Sequence, residues 1–193
     1  MKKLLIVFAL FLSINSFAQV NSAQTVSVWQ AKEYSKDISL FRAKYFLFNR
    51  VLGVSEDIKT FELIPLAASS SGELTTLFYK SEDFKKEGLI LGFYGNYWND
   101  AGVIYQGYSF KNLTKEEAIE FMDKISTSIG DNSKFMGKNS DNNNIYFKYK
   151  DIDVLVYYSG TGAIIRLFWN GFDSTWDGLA FDRSKRRFEK KLK

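Results

Sequence analysis

The chain contains no histidine and no cysteine. That removes Ser-His and Cys-His nucleophile pairs, thiol chemistry and Cys/His zinc sites. Any chemistry must rest on carboxylates, lysine, arginine, tyrosine or hydroxyl groups. Three carboxylate pairs have a spacing that suits acid–base work, which needs two carboxyl groups roughly 5 to 10 Å apart across a cleft. Asp151 and Asp153 would share a face of a strand, Asp173 and Asp177 stand four apart, and Glu62 and Glu73 would meet across a hairpin. None carries a flanking signature, so no catalytic residue is assigned.

The stretch Asn139 to Asn144 is rich in side-chain oxygens, and Asn139, Asp141 and Asn143 alternate like the opening of a calcium loop. Asn144 replaces the glycine such a loop needs, and Lys150 stands where its bidentate Glu should be. The segment therefore reads as a solvated turn and no metal site is assigned. Phosphate cradles are absent as well. Ser159-Gly160-Thr161-Gly162 precedes a strand, and the glycines at 92, 95, 102 and 107 precede no helix start. No cofactor is expected.

Aromatic residues make up 17% of the chain, and two clusters of them straddle expected strand ends. These are Phe93-Tyr94-x-x-Tyr97-Trp98 and Phe168-Trp169-x-x-Phe172-x-x-x-Trp176, with Asn96, Asn99, Asp100, Asn170 and Asp173 among them. Exposed Trp and Tyr beside Asn and Asp stack on sugar rings or bury a partner's apolar patch. Tyr94, Tyr97, Trp98, Trp169 and Trp176 are accordingly the candidate ligand-binding residues, expected on one surface at the sheet margin. The competing reading places the same rings in the core.

The elements that must position these residues follow from periodicity. Apolar spacings of 3 and 4 predict a helix over 36–52, with Gly53 at its end. Strands are expected over 61–68 and 74–80, with the lone proline, Pro65, marking an edge or a bulge. Residues 81–87 read as one helical turn. A hairpin of 89–98 with 103–111 follows. Thr114 and Glu117 have capping-box spacing and open a helix over 115–129, which Gly130 is expected to end. After a polar loop, strands are expected over 145–150, 153–158 and 164–169, then an irregular segment over 170–176 and a basic helix at about 179–193. Local hairpins dominate. The fold class is therefore α+β, a mostly antiparallel sheet of about seven strands with two or three helices on one face.

Charge and the N-terminus bound the setting. Lys2 and Lys3, the apolar run Leu4 to Leu12 and the small residue Ala18 before Gln19 are laid out as a secretory signal peptide over 1–18. No cysteine follows for lipid attachment. Cleavage after Ala18 leaves 175 of the 193 residues, 19–193, as one domain with room for a core. Removing Lys2 and Lys3 takes the formal charge from +4 to +2. Asp182 to Lys193 holds seven basic residues against two acidic ones, so the remainder is mildly acidic and the basicity is local.

The expectation is an exported protein, secreted or periplasmic, with no transmembrane segment in its mature form. It acts as a non-enzymatic binding or assembly module on a glycan or another envelope protein. The C-terminal tail offers weak contact with anionic surfaces, and no specific nucleic-acid contact is expected. The alternatives are a glycan-directed hydrolase using a carboxylate pair, and a structural or inhibitory partner of an envelope protein.

Overall fold

The computed structural model describes residues 40–98, 104–139, 142–160 and 162–193; for 96–98 and 104–106 the backbone alone is described. The signal-peptide expectation, the turn at Asn99–Gly102 and the middle of the Asn139–Asn144 loop lie outside the described residues. The chain divides into two units, Met1–Tyr45 and Phe46–Lys193. Residues 40–45 of the first are helical. All strands named below belong to the second. That unit begins with a π-helical turn, Leu47–Leu52, closed by Gly53 at φ 100, whose N–H reaches the carbonyl of Phe48 at 3.1 Å.

The described residues form an α+β fold of eight strands in two four-stranded antiparallel meanders. The first comprises β1 (Glu62–Ala68), β2 (Leu74–Ser81), β3 (Lys86–Trp98) and β4 (Ile104–Thr114), followed by helix α1 (Lys115–Lys138). The second comprises β5 (Asn144–Tyr149), β6 (Ile152–Ser159), β7 (Gly162–Trp169) and β8 (Phe172–Asp177), followed by helix α2 (Gly178–Lys191). Each half therefore runs four strands and then a helix. One backbone pair, Tyr97 with Phe172, joins β3 to β8 and so links the two sheets.

Strand alternation decides what is inside. Leu74 and Phe78 on β2, Leu89, Leu91 and Phe93 on β3, and Leu113 on β4 turn one way. Val154, Val156, Ile165, Leu167, Phe172 and Trp176 turn the same way from the second sheet. The two helices close over that inner face. α1 contributes Ala118, Phe121, Met122, Ile125 and Met136, and α2 contributes Ala180, Phe181 and Phe188. Phe188 meets Phe78 edge-on at 5.8 Å, and Phe121 meets Tyr149 at 5.1 Å. A buried hydroxyl pair, Thr76 Oγ1 and Ser184 Oγ at 2.7 Å, fixes where α2 crosses β2.

Several expectations are corrected. The strand count is eight, not seven, because 170–176 is not irregular. Asn170 and Gly171 take φ 51 and 78, the left-handed pair of a two-residue type I′ turn, and β8 follows directly. Gly130 does not end α1, which runs on to Lys138 because Met136 is fully buried one and a half turns further along. Residues 82–85 are a turn rather than a helix, closed by Lys85 N–H to Glu82 O at 3.2 Å. Helical cover is not confined to one face. On the outer face of the first sheet, the ring of Phe46 lies 5.6 Å from that of Phe110, and Lys86 donates to the carbonyl of Val51 at 2.6 Å. The Thr114–Glu117 capping box and the bulge beside Pro65 stand where the sequence puts them.

Trp176 is the largest ring sealed in this core, with 1% of its surface exposed and Phe181 edge-on at 5.0 Å. Replacing it by alanine should cost about 3–5 kcal/mol in urea denaturation, as aromatic truncation in a core does. A loss below about 0.5 kcal/mol would mean the residue is at the surface.

Candidate functional site

The turn after β5 brings three expected residues and one unexpected one together. Lys150, at φ 52, and Asp151 form a two-residue turn between Tyr149 and Ile152. Asp151 is thereby aimed across to the first sheet, where Lys111 stands on the inner face of β4 opposite Leu91. The Lys111 ammonium lies 2.6 and 2.7 Å from the two carboxylate oxygens of Asp151. The indole N–H of Trp169 donates to the same carboxylate at 2.9 Å. Lys111 also sits 5.4 Å from the Trp169 ring centre, and the ring packs on Phe93 at 5.1 Å. Sequence reasoning missed Lys111. The signal was a cation on the strand face that Leu113 shares, where alternation would place an apolar residue.

Beside this cluster the turn ends leave a hollow of about 380 Å³ lined by Asp151, Asp153, Phe168, Trp169, Asn170, Gly171, Phe172 and Asp173. Phe168, Asp153 and Asp173 reach it from the outer face of the second sheet, because the register sets them side by side across β6, β7 and β8. Phe168 leaves 38% of its surface in solvent. Around it, Arg166 forks onto Asp173, with Nε to Oδ1 at 2.8 Å and a second bond from Nη2 to Oδ2. Asp153 accepts from the Tyr146 hydroxyl at 2.6 Å and lies 3.6 Å from Lys148. The outer face continues through Leu155, Tyr157 and Ile164, and Tyr146 is 64% exposed.

The expected aromatic surface does not form as one patch. Trp169 lines the hollow, but Trp176 is core. Tyr94 points to the opposite side of β3 from Phe93, where its ring meets Phe110 edge-on at 6.0 Å. A single step along a strand reverses the side chain, so adjacent residues 93 and 94 serve different faces. The side chains of Tyr97 and Trp98 lie outside the described residues.

The carboxylate pairs are not arranged for acid–base work. Asp151 faces inward to Lys111 while Asp153 stands on the outer face. Burial pushes the Asp151 carboxyl up, but the Lys111 ammonium and the Trp169 N–H outweigh it and hold the group below its ordinary range. Asp177 caps α2, accepting from Ala180 N–H at 2.9 Å and Ser70 N–H at 2.8 Å. There too burial raises the carboxyl and the two N–H bonds bring it below normal. Glu62 and Glu73 do not meet across their hairpin. They stand at opposite ends of it, roughly 20 Å apart at strand rise. A general acid needs the reverse environment, an apolar site that keeps its proton on.

Among the described residues no group of three or more acidic side chains is placed to hold a metal ion. Amides of the 139–144 loop are spent on nearby protein groups instead, with Asn143 Nδ2 on the helix carbonyl of Phe135 at 2.6 Å and Asn144 Nδ2 on Asn142 O at 2.9 Å. A second hollow of about 420 Å³ lies at the start of α1. Two of its lysines are engaged, Lys86 by the Val51 carbonyl and Lys115 by Glu87 at 2.6 Å. No helix among the described residues is long and apolar enough to cross a membrane. Comparison of the chain with protein-family models, with curated proteins and with solved structures finds no match.

Asp151 supplies a pH test of the cluster. A carboxyl held below its unfolded value stabilises the fold above that value, about pH 4, and the stabilisation is lost as pH falls through the lower folded value. With its side chain half in solvent the effect is modest. Asp151→Asn should cost about 1 kcal/mol near pH 7, and the gap to the parent should close as pH drops below about 4. A gap unchanged at pH 3 would remove the ionised carboxylate from the account.

Proposed function

We propose that the protein is an exported, non-enzymatic binding module whose ligand surface is the hollow beside Phe168 and the adjoining outer face of the second sheet. The observation that carries this is the contrast between the two sheets. The outer face of the first is covered over its middle, where Leu77 and Ile90 are buried, and opens at one end, where Tyr108 is 44% exposed. The corresponding face of the second lies open, presenting aromatic rings among hydrogen-bonding groups.

The chemistry there fits a polyhydroxylated ligand such as a glycan. The Phe168 ring gives an apolar platform for the C–H face of a sugar. Asp153 and Asp173 keep acceptor lone pairs free after their internal bonds, and the Asn170 side chain offers both donor and acceptor. Arg166 and Lys148 keep the carboxylates oriented without unpaired charge. Hydrolysis by a carboxylate pair is the poorer reading, since Asp151 is held ionised by Lys111 and Asp177 by its capping bonds.

Two measurements test the reading. Intact mass of protein recovered from the envelope or medium should correspond to residues 19–193, whereas retention of Met1 would contradict export by signal cleavage. Titration of isotope-labelled protein with soluble cell-wall oligosaccharides should shift backbone amides within 151–153 and 166–173. The Phe168→Ala variant should weaken that binding about tenfold, as loss of a central aromatic contact does. Amides unmoved at millimolar sugar would overturn the glycan assignment.

A further inference from the structure

Once α2 is folded, the seven cations of the C-terminal segment are not equivalent. Lys185 lies 2.7 Å from Asp123 Oδ1 and donates to Ser126 Oγ at 3.0 Å, tying α2 to α1. Arg187 donates to the carbonyl of Leu66 on β1. These two hold the helix in place. Arg183, Arg186, Lys190 and Lys191 are exposed and form no ion pair with any described residue. Spacings of three and four set Arg183, Arg186 and Lys190 in one ridge. Leu179, one turn before Arg183, heads the same ridge with 68% of its surface exposed. Phe181, Ser184 and Phe188 face the core from the other side. Asp182 and Glu189 flank the ridge and leave it net positive.

We propose that this ridge docks the protein on a bilayer surface rich in anionic phospholipid, with Leu179 entering the headgroup layer. A ridge from 179 to 190 runs about 17 Å at helical rise, long enough to meet several headgroups. Juxtaposed lysine and arginine each add to attraction for such a surface, and the attraction fades within a Debye length. The ridge has no aromatic ring for base stacking, which argues against single-stranded nucleic acid as the occupant. An exposed leucine among the cations fits a lipid interface better than a soluble polyanion. The geometry also fixes an orientation. α2 covers the inner side of the sheets, so a domain resting on its ridge turns the open outer face of the second sheet away from the lipid. The proposal takes from the export reading only that the chain meets such a membrane, and it is independent of what the hollow binds.

The test is co-sedimentation of the purified protein with phosphatidylcholine vesicles, with and without phosphatidylglycerol. Binding should require phosphatidylglycerol and fall steeply with added salt. The double variant R186E/K190E should lose at least about tenfold in partitioning. The matched variant K134E/K138E makes the same charge change at the same spacing on α1 and should stay within about threefold of the parent. Leu179→Ser should weaken binding at high salt, where only the apolar contact persists. Circular dichroism checks folding. If the Glu variant unfolds, R186Q/K190Q replaces it, with the same direction of effect expected. Three results would overturn the proposal: no binding to phosphatidylglycerol vesicles at low salt, equal losses in both double variants, or tight binding to dextran sulfate with none to vesicles.

Discussion

Among the described residues the two four-stranded sheets share one backbone pair, Tyr97 with Phe172, so something other than a ladder must hold them as one body. Both helices pack on strands of the two sheets, and at the seam itself the contact is aromatic. Phe93 on β3 packs against Trp169 at 5.1 Å and Phe172 at 6.2 Å, bringing the ends of β7 and β8 onto the middle of the first sheet. Each buried ring stabilises by about 1.5–3 kcal/mol, with about 0.5–1.5 more for each ring pair. The Lys111–Asp151 ion pair spans the same seam but is partly in solvent, where such pairs contribute at most about 1 kcal/mol. Ring burial therefore sets the strength of the junction. The charges and the Trp169 N–H set its register.

The seam explains the position of the candidate site. Trp169 is drawn inward by Phe93, and the next residue back, Phe168, is consequently turned out to solvent. The type I′ turn at Asn170–Gly171 then lifts Asp173 alongside it. The hollow is thus a by-product of joining the sheets at their ends, held by the same residues that hold the fold. Binding there need not organise anything new, because Arg166 with Asp173 and Tyr146 with Asp153 already fix the polar groups.

Much of this fold could be read in the sequence, and the failures share a cause. Thr114 and Glu117 announced α1, and the strand spans came from alternation, because both signals are local. The extent of α1 was not legible. Met136 lies beyond Gly130 and earns its place only by contact with the distant inner face. β8 was missed although Asn170–Gly171 is a strong hairpin signal; the mixed residues Phe172 to Asp177 masked an alternation in which Ser174 turns inward between Phe172 and Trp176. For the candidate site, the sequence offered strand-end rings without the sides they face. Trp169 and Trp176 look alike as strand-end rings, yet one lines a hollow and the other fills the core. That difference is set by which sheet face the seam closes, and no local pattern carries it.

If the aromatic seam makes one cooperative unit of the two sheets, their cores must open together. Native-state hydrogen exchange reads this directly. The slowest amides of β2 and β3, around Leu77 and Ile90, should exchange with the same opening free energy as those of β6 and β7, around Val154 and Leu167. In the Phe93→Ala variant both sets should drop together by about 3–5 kcal/mol. Exchange of one half at markedly lower free energy in the parent protein, or loss of protection confined to one sheet in the variant, would contradict the account.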